Sequence, residues 1–369
     1  MSIDFFQAAA PGVRRLAPYE PGKSAEVVER ELGITESIKL ASNENPLGPS
    51  PLARQAAAQA LCGLGRYPDG GAFTLKQSLA ARHQVAENQL TIGAGSSDLL
   101  RLVVQSFVTP GAEVIVSQYA FAMYAIYASA VDAELRVVPA KNWGHDLSAM
   151  AAAVSPATRV LFIANPNNPT GTWVDHQALV DLLDRVPRHV IVVLDEAYAE
   201  YVNVADYPDG IALTHEYPNL VVTRTFSKAH GLAALRIGYS ISHPQVADLM
   251  NRIREPFNGN SVALAAAVAA LGDAEHVERS RQANAAGMRQ VALALDAIKL
   301  QYIPSIGNFL AVETPGQAAP YYEALLRRGV IVRPLGGYGM PQHLRVTVGT
   351  PEENSRFIDA MRGVCAELR

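Results

Sequence analysis

At 369 residues the chain is too long for one ordinary hydrophobic core, which points to two domains. A net charge of −4 leaves no basic footprint for nucleic acid, and 49% hydrophobic with 18% charged residues suits a globular protein. Cys62 and Cys365 are too few and too far apart for a disulfide framework, and the nine histidines include no pair at metal-ligand spacing, so neither a disulfide nor a metal is expected.

From about residue 75 to 245 short apolar runs alternate with helical patterns. The expected strands are Glu113–Ser117, Leu135–Pro139, Val160–Ala164, Val190–Leu194, Leu220–Arg224 and Ile237–Ser240. Amphipathic helices fall between them, at Leu99–Val108, His176–Arg185 and Gln245–Arg254. Continuous β-branched runs separated by helices describe a mostly parallel sheet buried on both faces. Ligands of such sheets gather at the carboxyl ends of the strands.

Beyond this region the texture changes. Val262–Leu300 carries Ala-rich helical patterns, and Ile303 to Val348 reads as short strands broken by Gly and Pro, the signature of a separate α+β domain. The apolar stretch Val262 to Leu271 is too short to span a membrane and reads as a core helix. The opening residues, Met1 to Phe6, lack a charged leader before an apolar segment, so a cytoplasmic protein is expected.

Of six lysines, Lys228 alone lies in a small-residue turn directly after a buried strand, in Thr225-Phe226-Ser227-Lys228-Ala229-His230-Gly231. Arg236 follows eight residues later, interrupting the apolar Ala-Ala-Leu-Arg-Ile-Gly. Upstream, the run Val190–Leu194 ends in Asp195-Glu196-Ala197-Tyr198. A lysine amine with an aspartate from a neighbouring strand end is what pyridoxal phosphate requires: the amine holds the aldehyde as a Schiff base, and the carboxylate keeps the pyridine nitrogen protonated. The turn Ile92-Gly93-Ala94-Gly95-Ser96-Ser97-Asp98 opens a helix and offers backbone N–H groups to an anion. It does not fit the dinucleotide fingerprint, and no Walker sequence occurs.

The pattern around Lys228, the Asp-Glu-Ala-Tyr and the segment Asn165-Pro166-Asn167-Asn168-Pro169-Thr170-Gly171 resemble fold-type I aminotransferases. Within that superfamily the chain most resembles histidinol-phosphate aminotransferases, from Leu16-Ala17-Pro18-Tyr19 through Asn43-Glu44-Asn45-Pro46 and Arg66-Tyr67-Pro68-Asp69 to His343-Leu344-Arg345-Val346-Thr347. The resemblance implies a large pyridoxal-phosphate domain over 46–257 with a mostly parallel seven-stranded sheet. Residues 1–45 and 258–369 would form a smaller α+β domain.

It also implies roles. Lys228 would be the Schiff-base lysine and the base moving a proton between Cα and C4′. Asp195 would pair with the pyridinium nitrogen, while Tyr198 and Asn168 would bond the phenolic oxygen. Ser96, Ser97, Ser227 and Arg236 would hold the cofactor phosphate, and Phe121 would stack on the ring where many relatives carry Tyr. Tyr67 would reach the neighbouring subunit's cofactor phosphate, which implies a homodimer. On the substrate side Arg333, Arg345 and Tyr19 would clamp the phosphate of histidinol phosphate, with Arg345 also serving a carboxylate of glutamate. Asn308 would lie near the substrate. Two other activities share these motifs, an aromatic amino acid aminotransferase and a threonine-phosphate decarboxylase; a non-catalytic regulator of the same fold is disfavoured because Lys228, Asp195, Tyr198 and Arg236 are all present.

Overall fold

The computed structural model describes residues 3–19 and 21–368. Among the described residues thirteen strands occur: β1 (Ile38–Lys39), β2 (Leu90–Gly93), β3 (Glu113–Ser117), β4 (Glu134–Val138), β5 (Thr158–Ala164), β6 (Ile191–Asp195), β7 (Leu220–Thr225), β8 (Gly238–Ile241), β9 (Tyr302–Ile303), β10 (Phe309–Glu313), β11 (Val330–Ile331), β12 (Arg333–Pro334) and β13 (His343–Thr347). Seven of them build one sheet in the order β2-β8-β7-β6-β5-β3-β4. Only β8 runs against the rest, antiparallel to both β2 and β7. The six strands expected from the sequence are present, each displaced by two residues or fewer at its ends. The seventh, β2, is a four-residue strand directly before the glycine-rich turn.

Alternation along the central strands sends side chains into two cores. Leu161, Ile163, Val192, Leu194, Leu220 and Val222 face one layer of helices, which includes 73–83, 147–152 and 176–185. Val160, Phe162, Val193 and Val221 face the other, built from helices 96–107, 122–130 and 244–253. Helix His176–Arg185 begins where Asp175 accepts from the N–H of Ala178, as its sequence leads one to expect.

The remaining strands belong elsewhere. β12, β13, β10 and β9 form an antiparallel four-stranded sheet, and β1 pairs in parallel with β11. A third core joins this sheet to helices 274–297, 318–327 and 351–367, with Val291, Leu310, Leu344, Phe357 and Met361 at its centre. The helix Ala318–Arg327 lies in a stretch whose sequence suggested only strands. Leu40 belongs to this core too, so the early segment of the chain packs with the late one. Helix Ser261–Leu271 buries Ala263, Ala266, Ala267 and Ala270 in the core of the large sheet, although it follows the division expected at 257/258. Among the described residues no helix is long and apolar enough to cross a membrane, and no cluster of metal-ligating side chains occurs.

Candidate active site

Five parallel strands carry site groups at or just beyond their carboxyl ends, and antiparallel β8 begins at the same rim. Asp195 is the last residue of β6, Lys228 lies three residues past β7, and Asn168 lies four past β5. Ser96 and Ser97 open the helix after β2, and Phe121 precedes the helix after β3. These residues line a cavity of about 270 Å³ together with Tyr198, Ser227 and Arg236. The second unit and the early segment close it with Arg333, Arg345, Tyr19 and Ala41 to Asn43. A larger, open cleft of about 1010 Å³ lies over Arg224 and His83 and contains no lysine.

The Lys228 amine donates to the carbonyl of Ser42 at 2.9 Å and lies 5.7 Å from the centre of the Tyr198 ring. Burial first, then the Arg345 cation, pulls its pKa down to about 7, with Glu44 opposing. An amine near neutrality is a nucleophile and a base without further activation.

Asp195 is buried, and both its oxygens accept: Oδ2 from the Tyr124 hydroxyl at 2.8 Å and Oδ1 from the Thr223 hydroxyl at 3.1 Å. Burial raises its pKa, while these two bonds, a backbone bond from Ala197 and the charge of Lys228 act the other way. A buried carboxylate so placed is suited to a cationic N–H partner. Tyr124 is wholly buried, stacks flat on Phe162 at 4.5 Å and meets Phe121 edge-on at 5.7 Å.

The Tyr198 hydroxyl accepts from Asn43 Nδ2 at 2.9 Å, and burial pushes its pKa up to about 12. Asn168 Oδ1 accepts from an Arg345 N–H, which leaves the Asn168 amide nitrogen as the donor that can serve a ligand. Arg345 donates also to the carbonyl of Ala41 at 2.7 Å, and its guanidinium lies 5.5 Å from the Phe309 ring centre. Its buried Nε has no acceptor among the described residues. Arg333 is the register partner of Arg345 across β12 and β13, and the ring of Tyr19 lies 5.6 Å from its guanidinium carbon. Two guanidiniums side by side, one carrying an unsatisfied donor, fit a dianionic group.

The anion cradle on the other side is built from glycines. Gly95 holds φ +87°, and a Cβ there would stand 2.4 Å from an Arg236 nitrogen; a Cβ on Gly238 would stand 2.7 Å from the Ser96 nitrogen. Only glycine lets the guanidinium, the helix start and β8 converge. Arg236 donates to the Ser227 hydroxyl at 3.2 Å, so the two phosphate-contact candidates are already joined.

Two expected residues lie elsewhere. Tyr67 is 82% exposed, stacked on Phe257 at 4.7 Å, and does not line the cavity of its own chain. Asn308 is buried outside the cavity lining and donates to the carbonyls of Asn43 at 3.1 Å and Glu44 at 3.3 Å, supporting the loop that reaches Tyr198. Conversely, Asn43, Tyr124 and Thr223 carry contacts that the sequence did not single out. The nearest signal was positional: Asn43 opens one matching motif, and Tyr124 lies three residues past Phe121.

Residues 35–361 match the family described as aminotransferase class I and II. The chain belongs to the class I and II aminotransferases. Among its relatives is histidinol-phosphate aminotransferase 2 of Pseudomonas fluorescens (strain Pf0-1), 55% identical over 368 residues that cover 99% of this chain and 100% of that protein. The corresponding protein of Pseudomonas aeruginosa (strain PAO1) is 53% identical, over 98% of this chain and 99% of its own length. Among solved structures, histidinol-phosphate aminotransferase from Sinorhizobium meliloti in complex with pyridoxal-5'-phosphate superposes with a TM-score of 0.90 at 29% identity, covering 97% of this chain and 98% of that one.

The residues of this family member's cavity fit that cofactor. A buried lysine with its pKa drawn down, a buried carboxylate with both oxygens steered, a glycine cradle under an arginine and an aromatic wall stand around one space.

Proposed function

We propose that this chain is a pyridoxal-phosphate-dependent aminotransferase of histidine biosynthesis. It would interconvert histidinol phosphate and 2-oxoglutarate with imidazole acetol phosphate and glutamate, acting in the cytoplasm as a homodimer. The relatives' shared activity supports this over the aromatic and decarboxylase readings. The observation that carries it is the pair Arg333 and Arg345, in register on β12 and β13 with Tyr19 beside one of them, lining the same cavity as Lys228. An amino donor without a carboxylate but with a phosphate needs such a pair.

Bound pyridoxal phosphate supplies an electron sink for the carbanion at the donor's Cα. Lys228 would anchor the cofactor aldehyde and, once released, take the proton from Cα and deliver it at C4′. Asp195 would face the ring nitrogen, held by Tyr124 and Thr223. Tyr198 and the Asn168 amide nitrogen would donate to the phenolic oxygen, and Phe121 would cover one ring face. Ser96 and Ser97 amides, the Ser227 hydroxyl and Arg236 would bind the cofactor phosphate. Arg333, Arg345 and Tyr19 would grip the substrate phosphate, with Asn308 supporting the Asn43–Glu44 loop beneath. Tyr67, turned outward in its own chain, would complete the second copy's phosphate site. Residues 46–257 would form the cofactor unit, and 1–45 with 258–369 the second unit, save that helix Ser261–Leu271 packs with the first.

A single-turnover spectrum tests this. The cofactor-loaded protein is mixed with histidinol phosphate alone and, separately, with phenylalanine alone. Rapid conversion to the pyridoxamine form with histidinol phosphate only is expected. Equal or faster conversion with phenylalanine would overturn the substrate assignment and make the arginines carboxylate binders.

A further inference from the structure

The hydroxyl of a tyrosine can donate one hydrogen and accept others, and which way it points decides what it can do for a ligand. Around Tyr198 the surroundings settle the direction. Asn43 Nδ2 donates to the Tyr198 oxygen at 2.9 Å. Asn43 is itself held at both ends by one side chain: its backbone N–H donates to Thr347 Oγ1 at 2.9 Å, and Thr347 Oγ1 donates to Asn43 Oδ1 at 3.1 Å. The threonine's only hydrogen is thereby spent on Oδ1, which turns the amide nitrogen toward Tyr198. Asn308 fixes the carbonyl of the same residue, and the backbone at Asn43 is left-handed, φ 55°, a conformation asparagine tolerates better than most residues. All four side chains, of Tyr198, Asn43, Thr347 and Asn308, are buried, so water does not compete for these bonds.

We propose that Asn43 is a positioning residue whose amide, set by Thr347, forces the Tyr198 hydrogen to point into the cavity. The inference rests on the pyridoxal-phosphate reading above, since the acceptor it serves is the cofactor's phenolic oxygen. Thr347 stands two residues from Arg345 on β13, so both project from the same face of the strand. One strand of the second unit thus supplies both a substrate-gripping cation and the anchor that orients a cofactor-binding hydroxyl of the first.

A hydroxyl held as a donor stabilises the phenolate and so lowers the pH at which the lysine-bound cofactor loses its proton. The test is a pH titration of the visible absorption of the loaded protein, which needs no turnover. Asn43→Gly keeps the left-handed backbone and removes the amide; its transition should move up by about one pH unit, about a tenfold change in the equilibrium. Thr347→Val, which leaves the amide but frees it to turn, should move the same way by less, and it carries the test if the glycine variant does not fold. Both shifts should vanish in a Tyr198→Phe background, because the effect passes through that hydroxyl. Titrations that overlay the parent, or shifts that persist undiminished without the hydroxyl, would overturn the proposal. A protein that acquires no visible absorption with pyridoxal phosphate would instead remove the cofactor reading beneath it.

Discussion

Mixing the cofactor-free protein with pyridoxal phosphate at a series of pH values reads the state of the Lys228 amine. Only the neutral amine attacks an aldehyde, so the capture rate follows the deprotonated fraction. With its pKa near 7, about a tenth of the amine is neutral one pH unit below that value, about half at pH 7 and nearly all two units above. An ordinary lysine at 10.5 would be neutral in about one molecule in three thousand at pH 7, a difference of about three orders of magnitude. Stopped-flow absorbance should therefore show capture rising with pH and levelling above a midpoint near 7. Arg345→Gln removes the largest charge effect that depresses the pKa, so its midpoint should move upward. The folded, cofactor-free protein also binds fewer protons than the unfolded chain between the two pKa values. The Lys228 contribution to its stability accordingly rises with pH across that window. A capture rate still climbing above about pH 9 would refute the reasoning, because it would mean that burial and the charges of Arg345 and Arg236 do not bring the amine's pKa down.

Other consequences can be checked by binding and unfolding. Gly95→Ala places a Cβ against the Arg236 guanidinium at a positive φ. Equilibrium dialysis should show cofactor affinity falling about tenfold, the equivalent of about 1.4 kcal/mol; unchanged affinity would show that the cradle is not used. Tyr124→Phe removes a donor from the buried Asp195 carboxylate, a loss of about 1.5–3 kcal/mol for a bond to a charged group. Its carboxyl pKa should rise further, so cofactor binding should weaken more at low pH than at high pH. Arg224→Met strands Glu196 and Glu200, with which Arg224 pairs at 2.7 and 3.2 Å. Denaturant unfolding should report a loss of about 3–5 kcal/mol, the usual cost of breaking a buried pair from one side, while the spectrum of any cofactor still bound stays unaltered.

What the sequence disclosed follows the range over which a signal acts. Strands carrying runs of four or more apolar residues, such as those ending at Ala164 and Asp195, announce themselves by composition, and the turn after each places its side chain at the sheet's rim. β2 is short and ends in glycine, so the turn dominates its sequence. Helix Ala318–Arg327 carries Pro320 in its first turn, where proline is tolerated, yet proline and the flanking glycines made the stretch read as broken strand. Asn43 and Tyr124 eluded the sequence for another reason. Their partners stand 155 and 71 residues away, and nothing local in either side chain marks it as an orienter. Asn308 was noticed, but only the folded chain shows that it holds a loop and does not line the cavity.

The cavity draws its walls from two separately packed bodies, and that division has a bearing on descent. The lysine turn, the aspartate and the glycine cradle belong to the large sheet, whereas Arg333, Arg345 and Tyr19 come from the other unit and the early segment. Replacements along β12 and the stretch near Tyr19 could therefore change which amino donor is accepted without disturbing the residues proposed to handle the ring. β13 is the exception: Arg345 holds Asn168 and depresses the Lys228 pKa, and Thr347 sets Asn43, so drift at either would reach the cofactor side as well. A lineage acquiring a new substrate on this scaffold should vary at Arg333 and Tyr19 while keeping Arg345 and a hydroxyl at 347.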